Sequence, residues 1–214
     1  GPTASGKTRL AIELAHALNG EIISVDSALV YRGMDIGTAK PDLAEREGIP
    51  HHLIDILDPS EAYSTGRFRD DALTCIEDIH RRGRLPILAG GTFLYFNALL
   101  KGLAELPAAD ANIRASIEAE AIQHGWYVMH EKLAKIDPVA ARRIHPNDPQ
   151  RIQRALEVYR LTGVSLSALC EIPPATLPFR FCKLALAPID REALRTRIRQ
   201  RFLTMIDQGL IDEV

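Results

Sequence analysis

The sequence predicts an α/β fold in which helices flank a parallel β-sheet, with an all-helical insertion. Three observations carry this prediction. Helical and strand-like segments alternate through the first hundred residues, strand signals vanish between residues 106 and 178, and an apolar strand-like run returns at 181–187. Strands separated by helices of about ten to fifteen residues are typical of parallel sheets. We therefore predict a core, residues 1–105 and 179–214, and a helical insertion, residues 106–178.

The core elements follow from hydrophobic periodicity. Apolar residues at helical spacing predict three helices, at 7–18, 68–80 and 92–100. Short apolar runs predict three strands, at 21–25, 52–57 and 85–89, and the first of these runs is rich in β-branched residues. An Arg-rich helix is expected from residue 190 onward, with an amphipathic stretch over 196–214.

Composition excludes several classes of protein. The 214 residues are 46% hydrophobic and 25% charged, with a net charge of −2, so no global field attracts nucleic acid and any polyanion site is local. The longest uncharged stretch, residues 85–100, is shorter than the ~20 residues of a membrane span. Cys75, Cys170 and Cys182 have no metal-ligand spacing and give no disulfide framework, which indicates a cytoplasmic protein.

Residues 1–8, GPTASGKT, fit the phosphate-loop (P-loop) pattern G-x-x-x-x-G-K-[ST]. Such a turn directs backbone N–H groups at phosphate oxygens, and the helix that follows adds its positive N-terminal end. Lys7 supplies a cation and the Thr8 hydroxyl can ligate Mg²⁺. A P-loop normally follows a buried strand, and the predicted helix at 196–214 stops without Gly, Pro or a polar tail, so we expect a first strand and a C-terminal portion to lie outside this sequence.

Asp26 follows the predicted strand 21–25. Ligands of open α/β sheets bind beyond the carboxyl ends of the strands, so Asp26 is expected to face the P-loop. Its carboxylate could take a proton or hold Mg²⁺ through water, and the alternative is a capping or turn aspartate. An ATPase would carry a second acidic residue after another core strand, whereas strand 85–89 ends in Gly90-Gly91-Thr92. The glycines permit close approach of a ligand, and Thr92 offers a hydroxyl there or merely caps the next helix.

Basic residues concentrate in the insertion. Arg151 and Arg154 are three apart on a predicted helix, 149–161, and are expected on one face, shortly after Arg142 and Arg143. Guanidinium groups suit phosphate recognition, and the alternative is a solvated helix face. The arginines at 191–201 are spread around their helix, so we interpret most of them as solvent-facing. His51 and His52 point to opposite faces and are not a metal pair, and Trp126 and Tyr127 are interpreted as packing residues.

Four further segments carry a family resemblance. They are SVDSALVYRGMDIGTAKP at 24–41, HLIDILDPSEAYS at 52–64, GGTFLY at 90–95 and HPNDPQRIQRALEVY at 145–159. Together with GPTASGKT they closely resemble bacterial tRNA dimethylallyltransferases, over essentially the whole chain. Adenylate isopentenyltransferases are relatives with a similar core, and the helical insertion favours the tRNA enzyme.

The resemblance implies transfer of a dimethylallyl group from dimethylallyl diphosphate to the exocyclic amine of the adenosine beside the tRNA anticodon. Asp26 is implied as the general base, and Thr92 as a second residue at the reacting substrate. The diphosphate, with Mg²⁺ at Thr8, is implied to bind Gly1, Thr3, Ala4, Ser5, Gly6, Lys7 and Thr8. The tRNA anticodon stem-loop is implied to contact Asp26, Ser27, Ala28, Leu29, Thr92, Arg114, Gln150, Arg151, Ile152, Gln153 and Arg154. We expect no membrane partner, and we expect the protein to be a monomer.

Two other functions remain open from the residues alone. A small-molecule kinase of the P-loop class would use Asp26 to activate a hydroxyl and the arginines of the insertion to cover ATP. A nucleotide-gated RNA-binding module would use the same residues without any reaction, so that the Asp26 carboxylate would be dispensable.

Overall fold

The computed structural model describes residues 1–104, 106–171 and 177–214. Glu105, at the end of the predicted core segment, and residues 172–176 of the predicted insertion lie outside the described residues. The chain forms two compact units. The first comprises Gly1–Lys101 and Pro178–Val214, and the second comprises Gly102–Leu177.

The first unit holds a three-stranded parallel sheet and five helices among its described residues. Its strands are β1 (Gly20–Val25), β2 (His51–His52) and β3 (Leu85–Gly90), in the order β2-β1-β3. Its helices are α1 (Lys7–Leu18), α2 (Thr65–Arg81) and α3 (Phe93–Lys101), then α9 (Arg191–Asp207) and α10 (Leu210–Glu213). The second unit holds α4 (Ala111–His124), α5 (Trp126–Ile136), α6 (Pro138–Arg143), α7 (Pro149–Thr162) and α8 (Leu166–Glu171).

β1 is the central strand and is buried along its whole length. Its register with β3 runs from Gly20 opposite Leu85 to Val25 opposite Gly90, so both strands end at the same edge of the sheet. α1 buries Ala11 and Ala15 against this sheet. Strands and helices therefore alternate in the first hundred residues, as predicted, and form an α/β fold.

Two predicted strands differ from the structure. The prediction of a strand at 52–57 is wrong beyond His52, because Leu53 and Asp55 have φ angles of 61° and 57°, which no strand residue adopts. Ile56 and Leu57 donate instead to the carbonyl of Val30, at 2.8 and 3.0 Å.

The second difference concerns residues 181–187, which are mostly exposed and form no strand. None of these residues joins the three-stranded sheet of the described residues. The stretch 196–214 is not one continuous helix either, since Gly209, at a φ of 98°, separates α9 from α10.

The second unit is helical throughout its described residues and has its own core. Its fully buried side chains include Ile117, Met129, Leu133 and Ile152. Three aspartates cap its helices through side-chain bonds to backbone N–H groups: Asp110 on α4, Asp137 on α6 and Asp148 on α7. Such caps satisfy first-turn donors that have no partner within the helix.

Candidate active site

A cavity of about 610 Å³ lies in the first unit, beyond the carboxyl ends of β1 and β3. Lys7 and Thr8 line it from the start of α1, Asp26 from the end of β1, and Gly91 from the segment after β3. The cavity therefore lies at the edge of the sheet where the sequence predicts ligand binding. A P-loop and an acidic side chain line the same space.

The P-loop forms a tight turn into α1. Gly6 precedes the helix at a φ of 85°, and Ala4 also lies in the left-handed region, at 58°. Gly1, Pro2, Thr3, Lys7 and Thr8 line the cavity; Ala4, Ser5 and Gly6 do not. This turn leaves the N-terminal N–H groups of a twelve-residue helix directed at the cavity end, the arrangement that binds phosphate oxygens.

Lys7 is the cation of this loop. Its Nζ donates to the Pro2 carbonyl oxygen at 2.6 Å, so its side chain folds back over the turn. Burial lowers the pKa of the Lys7 ammonium and the Arg201 charge lowers it further, while the Asp26 carboxylate raises it. A bound anion would raise the pKa of Lys7, as Asp26 does, and would favour the charged lysine.

Asp26 is half-buried, and only part of its carboxylate is used internally. Its Oδ1 accepts the Ala28 N–H at 2.9 Å, which makes the turn suggested as the alternative to a functional role. The second oxygen accepts no hydrogen bond from the described residues. Asp26 is therefore both a turn residue and a cavity residue, and the turn fixes the direction of its carboxylate.

Thr92 connects two loops at this edge. Its Oγ1 accepts the Ser27 N–H at 3.1 Å, and its carbonyl accepts the N–H of Tyr95 at 3.1 Å as α3 begins. Neither Thr92 nor Ser27 lines the cavity, whereas Ala28 and Leu29 do. Gly90 has a steric role, because a Cβ there would lie 2.0 Å from the Val25 carbonyl oxygen.

Arg201 is the residue that the sequence analysis missed. It lines the cavity from α9, against the expectation of a solvent-facing arginine, and its charge lowers the pKa of Lys7. Ile198, Phe202 and Met205 line the same wall. Their spacing of three to four residues is that of one helix face, and this stripe was the signal in the sequence that would have identified the face.

Ser24 and His51 add two polar atoms near the cavity. Ser24 Oγ and His51 Nε2 are buried and have no hydrogen-bond partner among the described residues. His51 Nδ1 lies 2.8 Å from the Ile49 carbonyl, which only accepts, so Nδ1 carries the proton and Nε2 is an acceptor. Burial lowers the pKa of His51, which keeps the ring neutral. His52 faces the other side of the sheet and contacts Glu21 at 2.6 Å.

The arginines of the second unit occupy different environments. Arg151 is 74% exposed and pairs with Asp148, whereas Arg154 is 29% exposed and donates to Glu157 at 2.6 Å. The two environments differ because Glu157, three residues after Arg154, is fully buried and draws that guanidinium inward, while Arg151 stays exposed. Arg114 donates to the same carboxylate at 2.8 Å.

The other predicted tRNA contacts on α7 also divide into buried and accessible residues. Ile152 is fully buried in the helical core, while Gln150 and Gln153 line a shallow groove with Trp126 and His145. Trp126 packs partly against the core, but Tyr127 is 65% exposed, so the interpretation of Tyr127 as a packing residue is wrong.

This chain matches the model of one known protein family. The model of the IPP transferase family matches residues 29–214. A tRNA dimethylallyltransferase of Methylococcus capsulatus is 65% identical over 215 residues, covering 100% of this chain and 69% of the relative. The corresponding protein of Nitrosococcus oceani is 59% identical, with 100% and 68% covered.

Solved structures agree with these relatives. The full-length tRNA isopentenylpyrophosphate transferase of Bacillus halodurans is 45% identical, with a TM-score of 0.61, and this chain spans 66% of it. A eukaryotic dimethylallyltransferase acting on tRNA is 37% identical, with a TM-score of 0.86, and this chain spans 53% of it. Both alignments cover 100% of this chain.

Proposed function

The chain belongs to the IPP transferase family, and from this premise we propose that it transfers a dimethylallyl group from dimethylallyl diphosphate to the exocyclic amine of an adenosine next to the tRNA anticodon. The observation that carries the proposal is the single cavity lined by Lys7, Thr8, Asp26 and Arg201. This cavity combines cations that can bind a diphosphate with a carboxylate that can accept a proton.

The diphosphate binds at the P-loop. Its oxygens accept hydrogen bonds from the N–H groups at the start of α1, and Lys7 and Arg201 neutralise the charge that develops as it leaves. Lys7 exchanges its bond to the Pro2 carbonyl for one to the anion. Two cations on different elements suit a leaving group that carries several negative charges.

The prenyl chain lies against the apolar part of the wall. Ile198, Phe202 and Met205 of α9 supply an apolar surface beside Arg201, and Leu29 adds to it from the loop after Asp26. A small branched hydrocarbon buried there is held by dispersion and the hydrophobic effect. Its position next to the cations fits a molecule with one charged end and one apolar end.

The target adenine leaves the stack of neighbouring bases and enters this cavity, and this unstacking costs a few kcal/mol. Its amine nitrogen forms a bond to the allylic carbon while the bond from that carbon to the diphosphate oxygen breaks. The proton of the amine goes to the free oxygen of Asp26, whose direction is fixed by the Ala28 N–H. Holding both substrates in line accounts for much of the catalysis, because the amine is a weak nucleophile.

Mg²⁺ fits this donor set as a companion of the diphosphate. Thr8 reaches the cavity and offers a hard oxygen ligand, the kind that Mg²⁺ prefers, and Asp26 lies where it could hold the ion through water. No cluster of three or more metal-binding side chains occurs in the described parts of the chain, so the diphosphate would supply other ligands. When bound, the ion would stabilise negative charge on the leaving group.

The tRNA partner is proposed to contact the second unit at α7. The exposed Arg151 can reach a phosphate, and Gln150 and Gln153 border a groove of about 590 Å³. None of the helices in the described segments is long and apolar enough to cross a membrane. A cytoplasmic location, supported by three free cysteines, and a monomeric state remain predictions.

The test is a product assay. The protein is incubated with dimethylallyl diphosphate and an anticodon stem-loop, and the RNA is digested and examined by mass spectrometry for a prenylated adenosine. A stem-loop with guanosine at the target position is the control. A parallel reaction contains ATP and small alcohols.

The expected result is prenylated RNA in the first reaction, with none in the guanosine control. Phosphate transfer from ATP, without prenylated RNA, would instead establish a kinase. Binding of the stem-loop with no reaction of either kind would favour the RNA-binding module.

A further inference from the structure

The loop between β1 and β2 contains three adjacent backbone N–H groups that converge on one carboxylate. Asp35 and Ile36 donate to Glu213 Oε2 at 2.8 and 2.6 Å, and Gly37 donates to Oε1 at 2.8 Å. Glu213 lies in α10, so the two partners are 176 to 178 residues apart in the chain. Hydrogen bonds from N–H groups to a charged acceptor are stronger than neutral ones.

The fit between this loop and α10 is close. A Cβ on Gly37 would lie 2.9 Å from Leu210 Cδ1 and 3.4 Å from Glu213 Oε1, so any larger residue at position 37 requires the Leu210 side chain to shift. The bonds from Ile36 and Gly37 lower the pKa of the Glu213 carboxyl, which keeps it ionised near neutral pH. The carboxylate thus completes a turn whose leading N–H groups would otherwise lack partners.

The same loop is fixed from its other end by Lys40. The Lys40 side chain is 4% exposed, and its Nζ donates to the Tyr31 carbonyl at 2.7 Å and to Asp35 Oδ1 at 2.6 Å. It also pairs with Asp55. The residues between these two attachments are held on both sides.

Those held residues form part of the cavity. Gly37, Thr38 and Ala39 line it from the loop, and Arg201 and Phe202 line it from α9, which α10 follows directly. Glu213 therefore connects two walls of one cavity without lining it. A change in this contact moves the loop and the helix that carries Arg201 relative to each other.

We infer that Glu213 is a positioning residue for the prenyl diphosphate: it holds the loop 35–39 against α9–α10 and thereby sets the place of Arg201 opposite Lys7. This inference rests on the proposed function of the cavity. Glu213 touches no substrate, and its effect is exerted through the backbone N–H groups of the loop and through α9.

The test compares Glu213→Ala with Asp212→Asn in the full chain. Asp212 is the neighbouring, exposed carboxylate of α10, and it accepts no hydrogen bond from the described residues. Two quantities are measured for each variant: the Kd of inorganic pyrophosphate, which requires no transfer reaction, and the KM and kcat for dimethylallyl diphosphate. Added formate provides a small carboxylate that can occupy the vacated N–H groups.

For Glu213→Ala we expect the pyrophosphate Kd and the KM to rise roughly ten- to a hundredfold, with a smaller change in kcat. Formate should restore much of this loss, and it should not improve the parent protein or Asp212→Asn. Glu213→Gln keeps one acceptor oxygen and should lie between the parent and Glu213→Ala, which preserves the test if the alanine variant fails to fold.

Unchanged pyrophosphate binding in folded Glu213→Ala overturns the inference. A loss that formate does not restore, accompanied by an equal fall in the folded fraction, also overturns it, since the contact then only stabilises the fold. If the parent protein binds pyrophosphate but transfers no prenyl group, the proposed function fails, and the pyrophosphate comparison still decides the role of Glu213.

Discussion

At the scale of single residues, Asp26 is the side chain to which the proposed mechanism assigns the proton transfer. Its Oδ1 is occupied by the Ala28 N–H, and its remaining oxygen is available in the cavity. An amide in place of the carboxylate can still accept that N–H through its own oxygen. The substitution Asp26→Asn therefore removes the base and keeps the turn.

Asp26→Asn is expected to lower kcat by about 10²- to 10⁴-fold, the usual contribution of a general base. The Kd of pyrophosphate should change little, because the P-loop is untouched. Steady-state kinetics and calorimetry measure the two quantities, with Asp70→Asn on the exposed side of α2 as the control. Full activity in Asp26→Asn would remove the carboxylate from the mechanism.

Arg201 allows a matched comparison within one helix. Arg201→Ala should weaken pyrophosphate binding by about tenfold or more, since a charge-assisted hydrogen bond contributes ~1.5–3 kcal/mol. Arg199→Ala, an exposed arginine two residues away, should leave the Kd unchanged. Equal Kd values for both variants, measured by calorimetry, would return Arg201 to the solvent-facing role that the sequence suggested.

At the scale of elements, local signals predicted the first half of the core well. The helix at 7–18 is observed with those bounds, and the strands at 21–25 and 85–89 differ from β1 and β3 by one residue. α1 buries Ala11, Ile12 and Ala15, and β1 is buried along its whole length. The predicted strand at 52–57 failed because the φ angles of Leu53 and Asp55 depend on the loop that they contact, which hydrophobicity does not encode.

The residues of the candidate site also divide into those that local sequence signals predict and those that they do not. The P-loop and Asp26 were found because a contiguous motif and a strand end place them, whereas Arg201 lies far along the chain on a helix with many arginines. Its neighbours in space are set by tertiary packing of α9. The environment of Arg154 was not predicted for a related reason, because its partner Glu157 is buried by the fold of the second unit and not by its own helix.

Glu157 makes the second unit sensitive to acid. Burial alone would raise the pKa of Glu157, but the hydrogen bonds from Arg114 and Arg154 lower it to about 2. A lowered pKa in the folded state means that this contribution to stability is present above the ordinary pKa of 4.5 and is lost as the pH falls toward 2.

Glu157→Gln is therefore expected to destabilise the second unit by about 3–5 kcal/mol at neutral pH, because two arginines lose a buried partner. The difference from the parent should shrink as the pH falls through the window below 4.5. Urea unfolding at several pH values measures it. Glu120→Gln, which breaks a partly exposed pair with Lys132 and Arg160, should cost no more than about 1 kcal/mol, and an equal cost for both variants would contradict the account.

Arg151 and Arg154 should also differ as tRNA ligands. Arg151→Ala removes an exposed cation and should lower the slope of log affinity against log salt by roughly one, with the pyrophosphate Kd unchanged. Arg154→Ala should in addition destabilise the helical unit, since it breaks the pair with Glu157. Salt titrations of stem-loop binding separate the two effects. A parent-like salt slope in Arg151→Ala would exclude it from phosphate contact.

At the scale of the whole molecule, the net charge of −2 confines anion recognition to local groups. The first unit supplies two cations at one cavity, Lys7 and Arg201, and the second unit supplies an exposed arginine on α7. This distribution suits a protein that holds a small diphosphate tightly and an RNA by a few contacts. Removal of one group of charges should leave binding at the other intact.

In the proposed mechanism, one cavity holds both the diphosphate and the proton-accepting carboxylate. A crystal structure of the protein with an unreactive thiodiphosphate analogue of the prenyl donor tests it most directly. We expect diphosphate density over the start of α1 within hydrogen-bond distance of Lys7 and Arg201, with the allylic carbon directed toward Asp26. Density for the analogue elsewhere, or an Asp26 side chain turned out of the cavity, would contradict it.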